Sequence, residues 1–200
     1  LSEAKTISGP HEGLIGGRWI LKSGAVVKRA ISAHIVRMEG SARISEMFGQ
    51  CVVEEMAGKS SVGSVWGHVR IREMSASSHI GSLGGDSCVE VLCGNASIEE
   101  MRESSRVTLI TDNATIEQLF GNARIGTMRG SAKVGLTWDA AQIGEMHDVS
   151  HVEELLCRAK VEIMFDCSVV ERMYSDSQVE ALVGEARVNK TYGKPIIGRR

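Results

Sequence analysis

A nine-residue phrase repeated along nearly the whole chain is the feature that most limits what it can fold into. The stretch 122–148, NARIGTMRG SAKVGLTWD AAQIGEMHD, spells it three times. A gap-free register runs from Ser23 (SGAVVKRAI) to Gly193 (EARVNKTYG), nineteen units in all. The fourth position holds Val or Ile in every unit, from Val26, Ile35 and Ile44 to Val179 and Val188. The second is nearly always Ala or Ser, the seventh mostly Met or Leu, and the ninth most often Gly, otherwise commonly Asp.

A helix fails on phase. At about 100° per residue, nine residues turn an apolar stripe through roughly 900°, half a revolution out of step, so the stripe would change sides in every unit. Glycine at so many ninth positions and a β-branched residue at every fourth argue the same way. Read as a strand, positions two and four point inward and three and five outward. Positions four and seven differ in parity, so a bend near five and six must return the seventh side chain to the interior. One such unit cannot bury its apolar side alone, but stacked units share a continuous core.

The eighth position sets the size of a coil. Counting from Ser23, odd-numbered units carry Phe48, Trp66, Phe120, Trp138, Tyr174 and Tyr192 there, with Leu156 among them, whereas even-numbered units offer mainly Glu39, Ala57, Ser75, Cys93, Thr111, Arg129 and His147. Phe165 breaks the alternation. The sequence thus predicts an all-β parallel β-solenoid (β-helix) with about 18 residues, two nonapeptide units, per coil. Such a rod is flattened and two-faced, and at about 4.8 Å per coil it is on the order of 45 Å long.

In this small-x-(Val/Ile)-x-x-(Met/Leu)-x-Gly unit, residues 23–193 resemble parallel β-solenoids built on nonapeptides. The broad look is similar to bactofilin filaments and to solenoid segments of phage tail proteins. The resemblance implies the solenoid architecture and no particular site. The calcium-binding nonapeptide pattern G-G-x-G-x-D is absent, so no calcium roll is implied.

Three segments follow from the register. Residues 1–22, with Pro10, Gly13, Gly16, Gly17 and the run Trp19-Ile20-Leu21, are expected to cap one end. Residues 23–193 form the solenoid. Residues 194–200 are expected to close the last coil through Lys194-Pro195-Ile196-Ile197, with Gly198-Arg199-Arg200 as a basic tail. Open strand edges at solenoid ends pair with other chains unless covered, so self-association through the ends or an edge is one expected mode of partnership. A first residue Leu1 in place of Met points to a piece of something longer. Neither a membrane-length apolar run nor a signal-peptide pattern is present.

A net charge of -2 supports neither a nucleic-acid footprint nor an acidic DNA mimic, and the basic column Arg106-Arg124 is short. Thr108, Thr115 and Thr127 do not make the regular array of an ice-binding face. The five cysteines fall at five register positions, none 18 residues from another, which argues against structural disulfides and for a reducing compartment such as the cytoplasm. Cys88 and Cys93 have no further Cys or His stacked beside them to make a metal site, and His79 and His151 share a face four coils apart. No nucleophile triad, P-loop or cofactor motif can be assembled.

Two surfaces remain. The aromatic edge of Phe48, Trp66, Phe120, Trp138, Tyr174 and Tyr192 is either a ladder that holds coil register or a platform for a protein or glycan. The acidic face stacks Glu99 beside Glu117 and Glu153 beside Glu171, with Glu100 and Glu154 nearby. Paired carboxylates serve as a cation site or an acid/base pair, but a solvated face with alternating charge, as in Glu54, Arg72, Glu90, accounts for them more simply. The expectation is therefore a non-enzymatic structural or protein-interaction rod within a tail, filament or effector. The alternative is a carbohydrate-binding or carbohydrate-acting solenoid using the carboxylate or aromatic face.

Overall fold

A computed structural model describes residues 3–198. Arg199 and Arg200 of the basic tail lie outside the described residues. Every regular element among the described residues is a β-strand, and the strands fall into two parallel sheets of 12 and 11. The chain visits the sheets alternately: Lys5–Ile7 pairs with Arg18–Leu21, and Pro10–Ile15 pairs with Val26–Ile31. Along the central rod each residue sits against the one 18 places on, as in Ile80, Ile98 and Ile116. The chain is a parallel β-solenoid.

The unit explains the core. In the strands of five residues before Gln178–Leu182 the second and fifth side chains are buried and the two between them face out, so the bend lies inside the strand. From Ile35 to Val179 every fourth-position Val or Ile is buried, with the seventh-position Met, Leu, Val or Ile meeting it from Met38 to Met173. Thr137 occupies a seventh position and is fully buried with its hydroxyl unpartnered among the described residues. Second-position residues are small because they sit inside the corner, where the N–H of Ala141 bonds the carbonyl of Trp138 at 3.2 Å.

From Gly40 to Gly193 each ninth residue turns the corner with positive φ, a region that costs an ordinary side chain energy and suits Gly or Asp. Asp148, at φ 58°, adds a second contribution by accepting the Gly130 N–H at 2.8 Å one coil below. Asp112 does the same for Gly94 at 2.9 Å and Asp166 for Asp148 at 3.1 Å. Aspartate at a corner thus satisfies a backbone donor that a glycine there leaves unmet.

The first unit is a correction to the register. Val26, placed inward by the frame starting at Ser23, is 44% exposed, while Val27 is fully buried. Val27 stacks on Ile44 and Ala30 on Met47, so the inward set is Ala25, Val27 and Ala30 and the unbroken frame begins at Ser32. Ser32, at φ 47°, makes the corner in place of Ile31. Val26 and Val27 suit the fourth position equally, but the frame from Ser23 puts Arg29 at the inward seventh position and Ile31 at the corner, where the shifted frame puts Ala30 and Ser32.

The same shift reveals a taper. Strand partners stand 14 residues apart at Lys5↔Trp19, 16 at Pro10↔Val26, 17 at Val27↔Ile44 and 18 beyond. Each of the first strands buries a single residue, Ile7, Leu14 or Leu21, and the narrowing coil covers the core. Residues 5–21 therefore continue both sheets, and no strand among the described residues pairs with the outer edges of Lys5–Ile7 or Pro10–Ile15. At the other end the coil stays wide, Ile196–Ile197 pairs with Gln178–Leu182, and Leu182, Val188 and Ile197 are only partly buried.

Candidate functional site

The eighth-position column lies along one edge of the rod, just before the corner. Partnering places Ile15 on Ile31 and Ile31 on Phe48, so the edge continues past the aromatic residues to the N-terminal coil. Ile15 is 79% exposed and Ile31 40%. Sequence reasoning missed both, because the frame shift assigned Ile31 to the ninth position. Trp138 and Tyr192 are the most open of the expected residues, while Phe48, Trp66, Phe120 and Tyr174 are half-buried.

Ring contacts divide the edge. Phe120 and Trp138 lie tilted with centroids 6.3 Å apart, and Tyr174 and Tyr192 stack at 4.8 Å. Trp66 meets no other ring among the described residues; it lies over Gly84, where a Cβ would stand 2.5 Å from its ring atoms. Arg102 follows Gly84 in the column and pairs with Glu100. Two apolar stretches are thus separated by a polar break. On the opposite edge His147 stacks on Phe165 at 4.7 Å and bonds Glu145 at 3.0 Å. Their spacing of 18 was the available signal for that pair.

The acidic face is partly engaged with its own neighbours. Glu99 meets His79 at 3.3 Å, Glu154 meets Arg172 at 2.7 Å, and Glu171 accepts a hydrogen bond from Asn189 at 2.6 Å. Glu117 and Glu153 are left on either side of Gly135, whose missing side chain opens a shallow depression lined also by Thr115, Gln118, Lys133 and Leu136. The other face is laced by ion pairs between coils, including Arg37–Glu55 at 2.9 Å and Glu54 with both His34 and Arg72. Burial pushes the Glu54 carboxyl up, but the His34 hydrogen bond and the Arg72 charge outweigh it and hold the group below its ordinary value.

All five cysteines are free thiols. Burial raises the Cys51 thiol above its usual range, and a hydrogen bond to Glu185 raises Cys167. Neither is a thiolate poised for nucleophilic chemistry. Among the described residues no three His, Cys, Asp or Glu side chains gather into a metal site. Compared with protein-family models, curated proteins and solved structures, the chain finds no match.

Proposed function

We propose that the chain is a rigid structural rod that spaces or presents parts of a larger assembly and meets protein partners along its apolar edge or at its ends. The observation that carries this reading is the unbroken core, running from Ile7 to Val179 through both sheets without a helix or a structureless insertion among the described residues. Stacked parallel coils bend little, because every interior strand is hydrogen-bonded on both sides. The exposed ion pairs that lace its faces contribute little stability each and present a charged surface of mixed sign, which favours solubility.

The test uses the periodicity. Deleting residues 104–121 removes one whole coil and joins Glu103 to Asn122 in frame. Spin labels at positions 43 and 190 of a cysteine-free chain should then give a narrow distance distribution, shortened by about 4.8 Å relative to the full rod. A broad distribution in either chain, or loss of the β-rich spectrum on deletion, overturns the spacer reading.

A second reading has one specific support, the depression at Gly135 between Glu117 and Glu153. By strand spacing these residues stand two coils, roughly 9–10 Å, apart, close to the carboxyl separation of inverting glycosidases. Reducing-sugar release from a polysaccharide panel, lost in E117Q and E153Q, would favour it; no release from any substrate would leave the rod reading alone.

A further inference from the structure

On both faces a third-position residue reaches the fifth-position carboxylate of the next coil, twenty residues on. His34 meets Glu54 at 2.8 Å, His79 meets Glu99 at 3.3 Å, Lys160 meets Glu180 at 2.8 Å, and Arg70 pairs with Glu90. Twenty residues beyond Arg106 and Arg124 the chain has Gly126 and Gly144. The two positions that would hold their carboxylates are vacant. The other basic residues of this face are engaged: Arg37 with Glu55, Arg72 with Glu54, Lys5 over the Trp19 ring, and Arg18 as well. Arg106 and Arg124 have no carboxylate partner among the described residues, and they are direct strand neighbours, an arrangement in which like charges repel.

The vacancy has a shape. Gly126 and Gly144 floor a depression bordered by both arginines, Thr108, Gln142 and Glu162. A Cβ at Gly126 would stand 2.5 Å from the Thr108 carbonyl oxygen, and one at Gly144 would stand 2.6 Å from that of Gly126. The backbone therefore runs close beneath the site, and filling it with a side chain would require the coil to shift. Glu162 bounds the far rim and turns an anionic ligand back toward the guanidinium groups.

We propose that this depression binds a small dicarboxylate, each carboxylate taking the place that a glutamate occupies in the neighbouring coils. Two such places stacked one coil apart are separated by about 4.8 Å, a distance a five-carbon dicarboxylate such as glutarate spans. Each guanidinium presents a planar fork of donors that matches a carboxylate in two-point contact. Thr108 and Gln142 supply donors at the sides. The ligand relieves the repulsion between Arg106 and Arg124, so the pair is tolerated in the free rod and satisfied in the loaded one.

Glutarate titrated into the isotope-labelled full chain is expected to move the Arg106 and Arg124 Nε–H signals and the Gly126 and Gly144 amides in a saturable way. Half-saturation should come at least tenfold lower than for acetate. The R106Q/R124Q double variant should keep its melting temperature and lose the saturable shifts. Four outcomes overturn the proposal: no saturation, an equal response to sodium chloride at matched ionic strength, inorganic phosphate binding as tightly as glutarate, or shifts that survive in the double variant. The site is independent of the rod's spacing role, and the distance measurement on the coil-deleted chain is unaffected by any of these results.

Discussion

Val26 and Val27 are chemically identical neighbours with opposite fates, and the difference between their alanine variants measures the burial that separates them. Both substitutions lose the same β-branched preference for strand. V27A also removes two methyl groups from a fully buried side chain stacked on Ile44. At about 0.8 kcal/mol per buried methyl-sized group, plus a term for the space left behind, the cost is about 2–3 kcal/mol. Val26 is 44% exposed, and V26A should cost less than about 0.5 kcal/mol beyond the shared propensity loss. For a chain of this size each kcal/mol lowers the melting temperature by about 2–4 °C, so beyond the shared propensity loss V27A should melt roughly 5–10 °C lower and V26A no more than about 2 °C lower. Because a solenoid frays coil by coil, hydrogen exchange of amides 26–48 is the more local readout, and protection there should fall in V27A alone. Equal losses in the two variants, or the larger loss in V26A, would refute the inward assignment of Val27 and the frame that starts at Ser32.

Three other expectations are independent of that frame. D148A removes the acceptor of the Gly130 N–H while keeping a side chain at φ 58°, and should lower stability by about 1–2 kcal/mol in calorimetry, with D148G losing less because glycine adopts that φ freely. Glu54 has a carboxyl held below its ordinary value, so its contribution is fully present above that value and is lost as pH falls through the lower folded value; the gap in melting temperature between parent and E54Q should be open at pH 6 and closed in strong acid, and a gap that widens on acidification would reverse the sign. W138A should lower the melting temperature, since a contact such as Phe120–Trp138 contributes about 0.5–1.5 kcal/mol beyond its burial. If the edge is only a ladder, pull-down of any partner survives this change; if it is a platform, binding is lost with the fold intact.

Much of the molecule was legible because its contacts obey a simple arithmetic. The nine-residue period sets which side chains face in, positive φ sets the ninth residue, and the alternation at the eighth position sets 18 residues per coil. Phe120 and Trp138, Tyr174 and Tyr192, Glu99 and Glu117 were placed as neighbours on that arithmetic alone, although the members of each pair stand eighteen residues apart along the chain.

What the sequence by itself determined is the repeating geometry, because β-branched, small and glycine positions act through local sterics that recur in every unit. Only the tertiary structure decided that the coil shortens by one residue in the first unit, where Val27 rather than Val26 pairs with Ile44, although Arg29 at the inward seventh position already counted against the unbroken frame. The taper follows from the same source: Ile7, Leu14 and Leu21 are inward at a spacing of seven, a period too short-lived to be read against the nine-residue background. Register places Trp66 beside Gly84 and His147 beside Phe165, but that the Trp66 ring folds over the glycine and the His147 ring stacks flat are matters of side-chain rotamer, which register does not specify. Arg106 and Arg124 appear in the sequence as a short basic column. That they have no carboxylate partner among the described residues emerges only when side chains slant across to the next coil and find glycine where others find glutamate, because pairing at twenty residues combines the coil length with the lean of a side chain along its strand.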